Sequence, residues 1–318
     1  MSKCLYCYKE LSEGMVYYHP SCSRKFFGSK NPPVLPYTRS NMSELAKRVI
    51  SASTAVTGVQ AKMSLNIDRG KKNEPAKLTI VGLWGKYIFK PQASKYRSLP
   101  ELEHLTMKMA SAAGIRTVEH SLIPMADGEL GYITKRIDRD ENGRKLSMLD
   151  FCQLSNRLTE HKYYGTYPQL AQTIQRFSSA PILDVQRFWE IVLFSWITGN
   201  SDMHCKNFAL IEIAPGEYEL SPAYDLLAVL LADIYDKEEL AMPLTVGGRK
   251  NGFTRESFIS AMTESGITGR IAAMIITKLC SFLPQWDDLI DDSFLPDDMK
   301  SAYHQLLRNR LERLGELY

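Results

Sequence analysis

Residues 199–208 read Gly-Asn-Ser-Asp-Met-His-Cys-Lys-Asn-Phe, and residues 221–225 read Ser-Pro-Ala-Tyr-Asp. The first stretch sets a carboxylate, Asp202, five positions ahead of a carboxamide, Asn207, and the second adds a carboxylate, Asp225. An acid able to take a proton from an alcohol, with an amide and an acid able to offer hard oxygens to magnesium, is the donor set that phosphoryl transfer from ATP requires. In that chemistry Asp202 is the base for the attacking hydroxyl, while Asn207 and Asp225 hold Mg2+ against the nucleotide phosphates. His204 and Lys206, on the same loop, count among the nucleotide-contacting candidates. Asn, Asp and Ser after a helix also make ordinary turns, so the spacing alone fits a plain loop as well.

The elements around the cluster favour chemistry. Apolar residues at 185, 188, 189, 192, 193, 196 and 197 cover most of a helix's circumference, which predicts a buried helix capped by Asp184 and stopped by Gly199. A polar loop projecting from a buried helix is rigidly held. Upstream, alternation predicts strands at 63–67, 77–81 and 86–90, the last ending in Lys90 before Pro91. Ser98-Leu-Pro-Glu101 reads as a capping box that opens a helix burying Leu102, Leu105, Met109 and Ala113 and stopping at Gly114. Capping occupies Glu101, so Glu103 is the better partner for a strand lysine that positions ATP phosphates; an exposed strand-end Lys and a solvated helix face would read the same way. Residues 51–62 form a small-residue loop ahead of the first strand, suited to close backbone approach to phosphate, although a single Gly58 makes it indistinguishable from a hairpin.

Residues 131–139 predict a strand ending in charge, and from 148 onward the spacing is mostly helical, over 148–156, 167–177, 184–198, 254–264, 268–283 and 300–317. A short hairpin at 207–211 and 217–220 places Asp225 just past its end. The acidic run 287–298 reads as a solvated connection, and the last helix, with Arg308, Arg310 and Arg313, as a surface element. The fold class is therefore α+β: a bilobal, protein-kinase-like arrangement of a small β-rich lobe at 29–139 and a mostly helical lobe at 140–318.

Cys4, Cys7, His19 and Cys22 stand apart from this plan. C-x2-C, eleven residues, then H-x2-C supplies three thiolates and one imidazole, a closed tetrahedral set whose usual occupant is structural Zn2+. Residues 1–28 are too few for an apolar core, so metal would supply their folding energy. Cys152, Cys205 and Cys280 read as scattered, small buried residues. The 318 residues, 24% charged and 44% apolar with a net charge of +3, describe an ordinary soluble protein, too weakly basic to argue for direct nucleic-acid binding. No run approaches the ~18 apolar residues of a membrane span, and the start lacks a signal-peptide core, so a cytoplasmic location with reduced thiols and no membrane partner is expected.

Six segments together resemble the HipA-family serine/threonine kinases, the toxins of bacterial toxin–antitoxin modules. They are T-G-V-Q-A-K at 57–62, I-F-K-P around Lys90, L-P-E-L-E-H at 99–104, K-R-I-D-R at 135–139, the 199–208 stretch and S-P-A-Y-D-L at 221–226. The resemblance implies that Asp202 is the catalytic base, that Asn207 and Asp225 coordinate magnesium and that Lys90 contacts ATP. It also implies that the loop with Thr57, Gly58, Val59, Gln60 and Lys62 covers the nucleotide. It further implies an aminoacyl-tRNA synthetase as protein substrate and a helix-turn-helix antitoxin through which DNA is met indirectly.

The chain departs from the family pattern in two ways. Only about fifty residues precede the nucleotide loop, which resembles the shorter HipT type, implying a separate small protein in place of the missing amino-terminal subdomain. Where HipT-like loops carry two autophosphorylated serines around one residue, this chain has Ala55-Val56-Thr57, which makes Thr57 the candidate acceptor and Ser53 and Thr54 alternatives. The competing readings are a small-molecule kinase using the same loops and a zinc-bearing pseudokinase that only binds partners.

Overall fold

Met63, Leu65 and Phe89 alternate with less buried neighbours and turn to one interior, which is why two segments distant in sequence become paired strands. The computed structural model describes residues 2–41, 44–45, 62–70, 74–81, 85–140, 143–232 and 237–316. It divides into a first unit of Met1–His104, Val118–Arg144 and Asp292–Phe294 and a second of Leu105–Thr117, Lys145–Asp291 and Leu295–Tyr318. The loop residues Thr57, Gly58, Val59 and Gln60, with Ser53, Thr54 and Ala55, lie outside the described residues, as does nearly all of the helix expected over 43–50. No helix among the described residues is long and apolar enough to cross a membrane.

The first unit is a five-stranded antiparallel sheet in the order β2-β1-β3-β5-β4, with β1 Met63–Asp68, β2 Lys77–Ile80, β3 Tyr87–Lys90, β4 His120–Pro124 and β5 Leu130–Lys135. Strand β4 was not expected; its residues are buried almost throughout, so the chain shows no alternation there. The amino-terminal segment, with α1 at Pro20–Phe27, does not stand alone. Cys4, Leu5, Leu11, Tyr18, Phe26 and Phe27 share one core with Met63, Leu65, Phe89, Leu122 and Ile133. The expectation that metal alone would hold residues 1–28 is thus corrected: they bury apolar surface on the sheet.

The helix α2, Leu99–Ala112, buries Leu102, Leu105 and Met109 as predicted, but its start differs. Ser98 sits at φ 49, and the Gln92 Oε1 accepts the Leu99 N–H at 2.9 Å. Glu101 is not the expected cap: its Oε2 is buried without a partner among the described residues, and burial pushes its carboxyl up.

The second unit is helical around a three-stranded antiparallel sheet, β6-β7-β8, of Met148–Asp150, Ala209–Ala214 and Glu217–Leu220. What read as one helix over 148–156 is strand β6 and a short helix α3, Phe151–Leu154, with Asp150 as its cap. Helices α4, Tyr167–Phe177, and α5, Pro181–Ile197, follow. Asp184 lies inside α5 rather than capping it; fully buried, its carboxylate accepts from the Ser178 hydroxyl and the Leu220 N–H, both at 2.7 Å, and from Arg187 at 3.0 Å. After a short turn α6, Val229–Ala232, come α7, Arg255–Glu264, and α8, Gly269–Cys280. The acidic run is no connection, because Leu283–Asp292 forms α9 on the buried Trp286 and Ile290. Cys152 and Cys205, expected to be scattered, place their Sγ atoms 2.7 Å apart.

The final helix α10, Asp297–Arg313, is not a simple surface element either. Arg310 is buried and lies 2.6 Å from Glu239, which also binds Arg313 through both oxygens and accepts from the Trp196 indole at 3.1 Å. Burial alone raises the Glu239 carboxyl, but hydrogen bonds from Arg313 and Trp196 and the charge of Arg310 outweigh it and hold it down at about 2. A depressed folded-state value stabilises above the unfolded value and loses that stabilisation as pH falls. The second unit should therefore weaken between the usual 4.5 and about 2. Glu239→Gln should flatten that acid limb in urea midpoints taken across this range. By stranding the Arg310 charge it should also cost about 3–5 kcal/mol at neutral pH.

Candidate active site

Helix α5 is fully buried over its last seven residues, so the loop after it starts from a fixed base. Gly199 turns the chain at φ 76, a left-handed conformation that glycine adopts without strain, and a Cβ there would push on the Leu306 side chain. Backbone bonds then wind the loop: Asn200 N–H to Ser195 O at 2.8 Å, His204 N–H to Asp202 O at 2.9 Å and Asn207 N–H to His204 O at 2.9 Å. The last of these closes a 3-10 turn, Cys205–Asn207, that leads into β7.

Past β8 the chain returns along the same loop. Ser221 N–H donates to Ala209 O at 2.9 Å, the Tyr224 hydroxyl to Lys206 O at 3.0 Å and Leu230 N–H to Gly199 O at 3.1 Å. Between them Asp225 is held at φ 56, the left-handed region that a non-glycine residue seldom occupies. His204, on the turn between Asp202 and Asn207, feels the charge of both Asp202 and Asp225. His204 is buried, and burial lowers it to about 4, with Asp202 and Asp225 pulling it upward and Lys162 downward. At neutral pH the ring is uncharged, and its Nδ1 has no partner among the described residues.

Asn207 Oδ1 is likewise buried without a hydrogen-bond partner among the described residues. An orphaned amide oxygen on a loop to which the Asp225 segment is bonded offers the oxygen donors that Mg2+ accepts, so these residues fit that ion. Lys206 Nζ is paired with Asp150 at 2.8 Å. Two partners in this region carried no sequence signal. Asp150 lies on β6, and Tyr163, thirty-nine positions before Asp202, donates its hydroxyl to Asp202 Oδ1 at 2.6 Å and sets its ring edge-on to His204. Both arrive by tertiary folding, which local spacing does not encode.

In the first unit, Lys90 at the end of β3 and Glu103 on α2 form an ion pair of 2.5 Å with almost no solvent exposure, beneath the ring of Tyr132. Of the expected nucleotide loop only Lys62 is described, and it is exposed.

The ligand atoms of Cys4, Cys7, His19 and Cys22 all lie within 4.8 Å of one another. His19 Nδ1 is 3.5 Å from Cys7 Sγ and 3.8 Å from Cys22 Sγ, close to the ~3.5–3.8 Å edges of a tetrahedron built on Zn–S and Zn–N bonds. The other ring nitrogen, Nε2, lies 2.9 Å from the Glu10 carbonyl, a contact that orients Nδ1 toward the thiols. The four residues fit zinc.

A family model described as "HipA-like C-terminal domain" matches residues 54–286. A Haemophilus influenzae protein named "Putative kinase" is 25% identical over 310 residues, 90% of this chain and 88% of that protein. The serine/threonine-protein kinase toxin HipA of Shewanella oneidensis is 25% identical over 252 residues, which cover 73% of this chain and 56% of the toxin. Among solved structures, the Shewanella oneidensis complex of HipA with HipB and operator DNA contains a chain that superposes with a TM-score of 0.69 at 21% identity, covering 89% of this chain and 74% of that one. That likeness establishes the α+β, kinase-like fold.

The Lys90–Glu103 pair yields a stability prediction independent of any activity. Glu103→Gln keeps the shape but leaves a buried ammonium without its counter-charge, and should cost about 3–5 kcal/mol in urea unfolding. The double variant Lys90→Met, Glu103→Leu should recover most of that loss, because a well-packed apolar pair removes the burden of a buried charge.

Proposed function

The chain belongs to the HipA-like C-terminal domain family, and on that premise we propose that it is an ATP- and Mg2+-dependent serine/threonine protein kinase, the toxin of a bacterial toxin–antitoxin module. The observation that carries the proposal is the bonding of the Asp225 segment to the loop of Asp202 and Asn207 through Tyr224 and Lys206, with the Asn207 Oδ1 buried and unpartnered among the described residues. In this reading Asp202 takes the proton of the acceptor hydroxyl. Asn207 and Asp225 hold magnesium, which when bound neutralises charge on the transferring phosphate. Lys90, oriented by Glu103, meets the nucleotide phosphates, and the loop from Thr57 to Lys62 covers them. A buried neutral His204 keeps a second positive charge away from the base.

We further propose a protein acceptor, of which an aminoacyl-tRNA synthetase is the kind implied by the resemblance, and autophosphorylation at Thr57 as the off-switch. A phosphate there adds about −1.5 to −2 charges where ATP phosphates must sit. A helix-turn-helix antitoxin, contacting DNA on the kinase's behalf, is supported by the HipA–HipB–operator assembly of the structural neighbour. A separate small protein of the kind that the HipT resemblance implies is a further proposed partner.

Radiolabelled ATP added to a lysate tests the activity. Asp202→Asn should lower labelling of protein about 10²–10⁴-fold while Mg-ATP still raises its melting temperature, since saturating ligand stabilises by about 2.7 kcal/mol at a hundred times Kd. Asp225→Asn should lose the magnesium-dependent part of that rise. Unchanged labelling by Asp202→Asn would overturn the assignment.

Zinc at Cys4, Cys7, His19 and Cys22 is structural in this proposal. Atomic absorption should find one zinc per chain, and none in a Cys4→Ser, Cys7→Ser variant. Because Cys4 lies in the core of the sheet and Cys7 and Cys22 pack against it, chelation should lower the melting temperature of the first unit as a whole and not merely release a terminus.

A further inference from the structure

The geometry points to Tyr163 as an internal phosphoryl acceptor, and we propose that the chain modifies this tyrosine on itself; the inference rests on the kinase reading above. A hydroxyl that is to be phosphorylated must lie within about 2.6–3.2 Å of the base that takes its proton. The Tyr163 hydroxyl donates to Asp202 Oδ1 at 2.6 Å, the contact that an incoming serine or threonine would otherwise make.

The surroundings allow the ring to act and then to leave. Tyr163 is 40% exposed and sits in the turn between the 3-10 segment Thr159–His161 and α4, so it is not locked into the core. The stretch is nevertheless tied to the catalytic loop, since Cys205 N–H and its thiol both donate to the Lys162 carbonyl, at 3.2 and 2.8 Å. Lys162 Nζ stands 4.9 Å from the Tyr163 ring centre, a cation ready beside a new phosphate.

In the step itself, the phenolic oxygen bonds to the γ-phosphorus of ATP and the bond from that phosphorus to the β,γ-bridging oxygen breaks. ADP leaves with the electron pair, and the phenolic proton passes to Asp202 and then to water. The product carries about −1.5 to −2 charges next to the Asp202 carboxylate. Like-charge repulsion then drives the phosphotyrosine off the base and toward Lys162. The reaction runs once per chain and clears the position for an external acceptor.

The test is phosphopeptide mapping by mass spectrometry of the full-length purified chain incubated with Mg-ATP, followed in time at several protein concentrations. Phosphate on Tyr163 should appear with a rate constant independent of protein concentration, fall at least ~100-fold in Asp202→Asn, and persist in Tyr164→Phe, whose altered ring lies on the neighbouring exposed residue. If Asp202-dependent labelling of lysate protein proceeds while Tyr163 stays unmodified, this inference is wrong and the kinase reading stands. A rate proportional to protein concentration would overturn the internal step and leave a reaction between chains. Absence of any Asp202-dependent transfer would remove both.

Discussion

The Tyr224 hydroxyl on the Lys206 carbonyl is the contact on which the site's geometry depends most directly. It fastens the segment bearing Asp225 to the loop bearing Asp202 and Asn207, and the Ser221–Ala209 and Leu230–Gly199 bonds fasten it on either side. These anchors leave Asp225 little choice of conformation, which is how a non-glycine residue comes to rest at φ 56. Such a conformation costs roughly 1–3 kcal/mol and persists only where its surroundings over-determine it. The strain and the stitching are therefore two views of one arrangement: the carboxylate is set in place before any ligand arrives. Preorganised charge of this kind is what a phosphoryl-transfer site needs, because little reorganisation is then left for the reaction.

Helix α5 supplies the foundation under that arrangement. Its carboxy-terminal half is buried on every face, and its first turns are pinned by Asp184 to the end of β8 through the Leu220 N–H. One helix thus fixes both ends of the problem, since the loop with Asp202 leaves its carboxyl end and the strand that leads to Asp225 is bonded near its amino end. Asp184 and the Glu239–Arg310–Arg313 cluster are costly to bury, and replacing such groups by apolar residues is often neutral for stability. Their contribution is directional. An apolar contact tolerates sliding, whereas a carboxylate accepting from a backbone N–H, a hydroxyl and a guanidinium admits few alternative registers.

The placement of Asp202 and Asn207 on a loop after a buried helix, and of Asp225 just past a hairpin, was legible because the helix is strongly apolar and the spacings are short. The strands at 63–67 and 86–90 were legible through alternation, and Lys90 with Glu103 through the order strand, turn, helix. What escaped has a common cause in burial and tertiary contact. Strand β4 is buried on both faces, so it lacks the period-two signal. In α9 the acidic residues outnumber the two large apolar ones that decide its fate, so composition pointed to a solvated link while Trp286 and Ile290 anchor a helix. Tyr163, Asp150 and Tyr224 act on residues eighteen to fifty-six positions away, and no local pattern announces such partners. Cys152 and Cys205 illustrate the same limit, carrying no signal singly and meeting only once α3 reaches the loop.

The amino-terminal segment packs on the same elements that carry the buried Lys90–Glu103 pair. Leu5 accepts the Leu122 N–H through its carbonyl, Tyr18 donates to the Leu122 carbonyl, and Phe26 and Phe27 pack against Tyr87, the first residue of the strand that ends in Lys90. Tyr8 lies edge-on to His104, the neighbour of Glu103, and His104 is itself hydrogen-bonded to His120 on β4. The segment that carries Cys4, Cys7, His19 and Cys22 thus packs on β3 three residues before Lys90 and on α2 one residue after Glu103. A buried ion pair needs good geometry to offset its desolvation, and geometry here is set by packing. The folding of residues 2–28 onto Tyr87 and His104 therefore bears on the two elements, β3 and α2, that carry the Lys90–Glu103 pair.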